Sequence, residues 1–416
     1  MVNKTLKTEL PEDWDAVMLG DYAQIFRGGS PRPIQDFITT SDKGINWIKI
    51  GDVGVGAKYI RATEEKIIPE GVSRSRMVYE GDLILSNSMS YGRPYIMNIE
   101  GCIHDGWLVI QKYDKTFYKD YLYYALSSEQ TMQQYIAMAA GSSVQNLNKD
   151  KVSKVILPCP QIPEQKKIAD ALSAIDVLLM DLQKLIQKKK NIRQGTMQIL
   201  VTGKKRLKGF SGDWKVTSLD KLCRIVTKQT GFDYSAEIKP SLVTAPQIGT
   251  IPFIQNKDFE GFDINYNTDF FIPYDVAEKY PKILLDEVCL LISISGRIGN
   301  VAVFDNKHTA FAGGAVGIAK LYDPEIAKWC MLYLSCKEGQ EQIFSNEKVG
   351  AQHNLTVADV RKLEIKLPEK PEREAIINVL LDMDNEIRLL EEKLQKYVKM
   401  KQGMMEELLT GKVRLI

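Results

Sequence analysis

Polar side chains set beside glycines recur in two groups along this chain, and their types suit one kind of chemistry. The first group is Arg27, Ser30 and Arg32, then Asn87, Tyr91 and Arg93, then Ser142, Gln145 and Asn146. The second is Lys228 and Gln229, Asn256 and Lys257, Ser295, Arg297 and Asn300, then Gln352, His353 and Asn354. A guanidinium can grip guanine through two hydrogen bonds and a carboxamide can do the same to adenine, a matched pair discriminating by about 1–3 kcal/mol. Neighbouring glycines let a loop approach a duplex closely. The two groups are therefore candidate base-reading loops. The recurrence of Asn146-Leu147 as Asn354-Leu355 fits a structural turn at least as well.

Catalytic patterns are missing by comparison. No glycine-rich loop ends in GK[ST], and the run Gly51 to Lys58 departs from GxGxxG spacing, so it reads as a turn. The FxGxG and [DN]PP[YF] pair of an amino-methyltransferase that uses S-adenosylmethionine is absent. His104 beside Asp105 has no nucleophile partner and reads as a structural pair. Six cysteines without CxxC spacing and only three histidines argue against a zinc site and a disulfide framework, so neither a catalytic nor a metal-ligating set is assigned. The opening residues lack a secretory h-region and the longest apolar run, near 288–294, is too short for a bilayer. A reduced, cytoplasmic protein with no membrane partner is expected.

The elements that must position these loops are legible because the chain is written twice. PEQKKIADALSAID from Pro163 is answered by PEREAIINVLLDMD from Pro371, and the match runs without a gap to TGKKRL at 202–207 and TGKVRL at 410–415. More than a third of the paired positions are identical, so the chain is a duplicated unit of a globular head followed by a long helix. Apolar residues Ile168, Leu172, Ile175, Leu179, Leu182 and Ile186 alternate steps of four and three, as do Ile376, Leu380, Met383, Ile387, Leu390 and Leu394. A 3.5-residue period keeps one seam facing a partner. The economical partner is the other helix, in an antiparallel coiled coil about 60 Å long with a pseudo-two-fold axis. Pro163 and Pro371 suit first-turn positions, and Gly203 and Gly411 suit the left-handed residue that ends a helix.

The division expected is a first head at 1–160, a first helix at 161–208, a second head at 209–369 and a second helix at 370–416. Both heads read as mixed α/β, with short strands such as 45–50, 82–87 and 107–113, answered by 251–256, 287–293 and 315–322. Each also has a helical stretch before its last strand, at 121–139 and 327–345. Asp13-Trp14 opens one head and Asp213-Trp214 the other; Gly92-Arg93 is matched by Gly299-Asn300. The net charge is +2, and the excess sits in residues 163–208, with eleven Lys and Arg against four Asp and Glu, while the heads are near neutral. Lys188, Lys189, Lys190 and Arg193 could meet phosphates, an acidic partner, or solvent alone. A protein that gripped DNA unaided would be more basic, so partners are expected to supply phosphate affinity.

Head, PEQKK…TGKKRL helix, second head, PEREA…TGKVRL helix: this order resembles the DNA-specificity subunit of type I restriction-modification systems over essentially the whole chain. The resemblance implies two target-recognition domains on an antiparallel coiled-coil spacer, reading a bipartite asymmetric site in double-stranded DNA. It implies no catalysis and no cofactor in this chain. Two methyltransferase subunits using S-adenosylmethionine to modify adenine N6, and restriction subunits using ATP and Mg2+, would be its partners. A coiled-coil scaffold carrying two protein-binding heads, without a DNA role, is the competing reading of the near-neutral heads.

Overall fold

The computed structural model describes residues 10–54, 56–87, 92–139, 147–345 and 354–416. The chain packs as two compact units, one formed by residues up to 184 together with 392–416, the other by 185–391. These units divide each long helix between them, whereas the sequence division separates heads from helices. The reason is that the head-proximal ends of the helices, at Ile168 and Leu172 and at Ile376 and Leu380, bury their seam residues in the core of the head beside them.

In the first unit, two five-stranded sheets form the head. One is centred on Trp107–Gln111, which pairs antiparallel with Gln24–Arg27 on one side and Leu83–Ser86 on the other. The second contains Ile45–Ile48 parallel to Gly101–Ile103. Strands of four and five residues read as continuous apolar runs because both faces are buried, as at Leu83, Ile84 and Leu85. The stretch 121–139 is two helices, Lys119–Leu126 and Glu129–Ala139. The break falls where the Ser127 and Ser128 hydroxyls bond back to the carbonyls of Tyr123 and Ala125, both at 2.7 Å.

The second unit repeats the plan with four-stranded sheets. Val316–Leu321 pairs antiparallel with Cys223–Lys228 and Cys289–Ser293, and Thr250–Ile254 runs parallel to Ala310–Ala312. Its helical stretch is likewise broken, into Ala327–Ser335 and Lys337–Ser345.

The two long helices are Ile162–Leu200 and Lys370–Leu408, of 39 residues each. In the first unit, Ile168 and Leu172 from the start of one helix share a core with Leu408 from the end of the other. In the second, Met197 and Leu200 share a core with Ile376 and Leu380. The helices therefore pair antiparallel within each unit. Of the seam residues, Ile168, Leu172, Ile175, Leu182, Ile186, Ile376, Leu380 and Ile387 are buried, while Leu179, Met383, Leu390 and Leu394 are half-buried. Gly203 and Gly411 have φ of +75° and +73°, the left-handed stop expected of them. Among the described residues, no helix is long and apolar enough to cross a membrane, and no three His, Cys, Asp or Glu groups are placed to hold a metal. All six cysteines are free.

Candidate nucleic-acid interface

Each head gathers some of its polar side chains at a junction of chain segments, and both junctions share one backbone frame. In the first head the amide of Asn87 donates to Gly106, that of Trp107 to His104, and that of Leu147 to Asn87. In the second, the amide of Ile294 donates to Ala315, that of Val316 to Gly313, and that of Leu355 to Ile294. Leu147 and Leu355 are both buried and end the two matched loops. Their common anchoring accounts for the recurrence of the leucine.

On this frame the first head centres on Asp105. The Ser30 hydroxyl donates to its Oδ1 at 2.8 Å, Arg27 Nε donates to its backbone carbonyl at 3.0 Å, and the Asn87 carboxamide donates to the same carbonyl at 2.9 Å. Arg27 and Arg32 each bring a guanidinium nitrogen to 3.8 Å from Oδ2. The Ser30 hydrogen bond holds the Asp105 carboxyl below the usual carboxylate range against the cost of burial, with Arg27 adding to the effect. Arg27, Ser30, Arg32 and Asn87 are thus brought together, and the residue that collects them is one that sequence reasoning assigned to His104. His104 lies beside it, Nδ1 3.8 Å from Asp105 Oδ1; it accepts the Gly106 amide at Nδ1, 2.6 Å away, and packs near Trp47 and Trp107. Burial pushes its pKa down, so it serves as neutral structural filling. Arg93 is exposed, its amide donating to Ser86 Oγ at 3.0 Å.

The second head exchanges the places of side chain and glycine. Strand register pairs Arg27 with Leu108 and Lys228 with Gly317, so Gly28 and Gln229 hold equivalent positions. At Gly28 an added Cβ would meet the His104 carbonyl at 2.1 Å, so no side chain fits. Opposite Gln229 the turn is Gly313-Gly314, and the space freed takes the Gln229 side chain. Gln229 is 3% exposed, and neither polar atom of its carboxamide has a hydrogen-bond partner among the described residues. Nearby, Asn256 donates to the Ser295 carbonyl at 3.4 Å and Ser295 bridges to Asn354. Lys228, exposed, precedes Gln229 at the strand end. Lys257 is turned elsewhere, its ammonium 3.0 Å from both Asp258 and Asp269. Arg297 is exposed, and Asn300 closes the turn through its amide to Ser293 Oγ at 2.8 Å. Tyr91, Ser142, Gln145, Asn146, Gln352 and His353 lie outside the described residues.

The heads are held to the helices by a second repeated device. In the first unit, Trp14 Nε1 donates to Glu164 at 3.1 Å, and Arg414 grips Glu164 at 2.7 and 2.8 Å while reaching Asp13. In the second, Trp214 Nε1 donates to Glu372 at 2.9 Å and Arg206 grips Glu372. Each guanidinium also lies over its tryptophan ring, at 5.4 and 5.3 Å. This clasp accounts for DW, PE and TGKxRL recurring together. Further along, Asp176 pairs with Lys401 at 2.6 Å and Asp384 with Arg193 at 2.8 Å, equivalent cross-helix bonds. Lys189 and Lys190 are likewise committed, to Glu386 and Glu391. Three of the four cations in the basic run are therefore engaged with the other helix, and only Lys188 points outward without an ion pair among the described residues.

The model of the type I restriction modification DNA specificity domain matches this chain twice, over residues 11–194 and 211–399. The chain belongs to the type I restriction-modification DNA specificity family. The type I restriction enzyme MjaVIII specificity subunit of Methanocaldococcus jannaschii is 24% identical, the alignment covering 98% of this chain and 94% of that one. A solved structure of a type I R-M system, described as the basis of its complex assembly and conformational transition, matches with a TM-score of 0.63 at 15% identity, covering 97% of this chain and 99% of the other. The HsdS subunit of Thermoanaerobacter tengcongensis matches with a TM-score of 0.50 at 17% identity, covering 97% and 98%. The family's two matched segments each run from a head into the long helix that follows it.

Proposed function

We propose that this chain is the sequence-specific DNA-recognition subunit of a type I restriction-modification complex, each head reading one half of a bipartite, asymmetric site. The observation that carries this reading is the pair of junctions: one hydrogen-bond frame, fitted in one head with Asp105, Arg27, Ser30 and Asn87 and in the other with Gln229, Asn256 and Ser295. Identical frames with different donors and acceptors suit two different half-sites. A homodimer would read a palindrome; two unlike heads in one chain read an asymmetric site. Half-sites one helical turn apart, about 34–36 Å, face the same side of DNA, and the helix pair would set that interval.

Catalysis would then belong to partners. Methyltransferase subunits would carry S-adenosylmethionine, and restriction subunits ATP and Mg2+. Leu185, Ile192 and Ile199, seven residues apart on one helix and all exposed, form an apolar stripe distinct from the buried seam. A methyltransferase subunit is the partner assigned to it. The test is methylation mapping in a host that carries this chain with its modification partner. A fixed bipartite motif is expected, and replacing residues 1–160 by the first head of another family member should change one half-site only. A change in both halves would overturn modular reading, and the absence of any fixed motif would overturn the function.

A further inference from the structure

Asp105 and the two arginines beside it present a set of hydrogen-bonding groups that the free protein leaves partly unused. Asp105 Oδ1 is taken by the Ser30 hydroxyl at 2.8 Å. Its Oδ2 lies 3.8 Å from guanidinium nitrogens of both Arg27 and Arg32, beyond hydrogen-bond reach. That oxygen can accept. Arg27 spends its Nε on the Asp105 carbonyl at 3.0 Å, which fixes the guanidinium plane and leaves its terminal nitrogens as donors. Both arginine side chains are well exposed, at 61% and 83%. No side chain rises from Gly28 or Gly29 between them, and these glycines abut the His104 and Arg74 carbonyls.

A phosphate would meet the Asp105 carboxylate unfavourably. A base edge that offers two acceptors and an adjacent donor would not. In the major groove guanine presents N7 and O6 as acceptors, and its cytosine presents the N4 amino group as donor. We propose that Arg27 and Asp105, with Arg32 in support, read one G·C base pair of the first half-site. The guanidinium takes guanine and Asp105 Oδ2 takes cytosine N4. Asp105 is then both a contact and the positioning residue for its arginines. This rests on the DNA-recognition reading above.

The experiment uses the full chain assembled with its methyltransferase partner and duplexes carrying every single base-pair replacement of the mapped first half-site. In the wild type, one G·C pair is expected whose replacement by A·T cuts methylation about ten- to a hundredfold. Asp105→Asn and Arg27→Gln should each flatten that preference, leaving every other position and the whole second half-site as they were. Arg27 is exposed, so its variant carries the test even where Asp105→Asn fails to assemble. The proposal is overturned where the first half-site has no G·C dependence, or where both variants keep it. It is also overturned where they weaken binding evenly over all sequences with a shallower salt slope, the mark of phosphate contact. A wild-type complex that methylates no fixed sequence would instead defeat the DNA-recognition reading itself.

Discussion

Gln229 occupies the place that a glycine takes in the other head, and it carries an energetic cost. Leaving a buried polar group without a partner costs about 1–3 kcal/mol, and an apolar group of similar shape escapes that cost. Gln229→Leu is therefore expected to leave thermal stability unchanged or raise it by about 1 kcal/mol, read by melting of the purified chain. The same variant should alter the second half-site in a methylation map and leave the first alone. A clear loss of stability would mean that the carboxamide has a structural partner. The sequence marked Gln229 as a polar residue of a candidate base-reading loop, but its burial depends on Gly313-Gly314, which no local pattern connects to it. Asp105 was missed for a related reason. Adjacency tied it to His104, whereas the fold returns Ser30 and Arg27 to it from far along the chain.

At the level of elements, the clasps and the cross-helix ion pairs decide how each head is held. Arg414 holds the Glu164 carboxyl below its ordinary value of 4.5, and the Trp14 indole adds to this. A carboxylate whose folded pKa is depressed stabilises the fold above its unfolded value, and that contribution is lost as pH falls through the folded one. Stability of the wild type should therefore drop below about pH 4.5, and Glu164→Gln should make that drop shallower. Glu164→Gln should also lower stability near neutral pH by about 1–2 kcal/mol, seen as a reduced melting temperature. A separate expectation concerns the basic run. Because Lys189 and Lys190 are bound to Glu386 and Glu391, converting both to Gln should leave the salt dependence of DNA binding unchanged; a slope reduced by about two would mean that they meet phosphates. The helices themselves were legible in full, since heptad spacing, terminal glycines and the repeat all state one geometry. The destination of the basic run was not, because charge alone does not name its partner. The helical breaks at Ser127-Ser128 and Cys336 were also hidden, the apolar pattern continuing through them.

For the molecule as a whole, the distribution of charge sets what it does unaided. The heads are near neutral, and most cations of the first helix are paired internally. The isolated chain is expected to bind its target weakly, with a shallow slope of log K against log salt, and both affinity and slope should rise when methyltransferase subunits join. Titration of fluorescent duplex at several salt concentrations measures both; equal slopes would place the phosphate contacts in this chain. Duplication was the clearest message of the sequence at this scale, whereas the division of each helix between two units was not, because packing partners lie outside the repeat. The clasp adds a matter of timing. Residues 185–391 are one unbroken stretch, and everything that closes them has emerged by the time the ribosome passes Glu391. The half made first must wait longer, since Arg414, which bolts Trp14 in place through Glu164, is made only after the whole of residues 185–391. A stop codon placed just before Arg414 would thus injure the oldest part of the nascent polypeptide and spare the newer one.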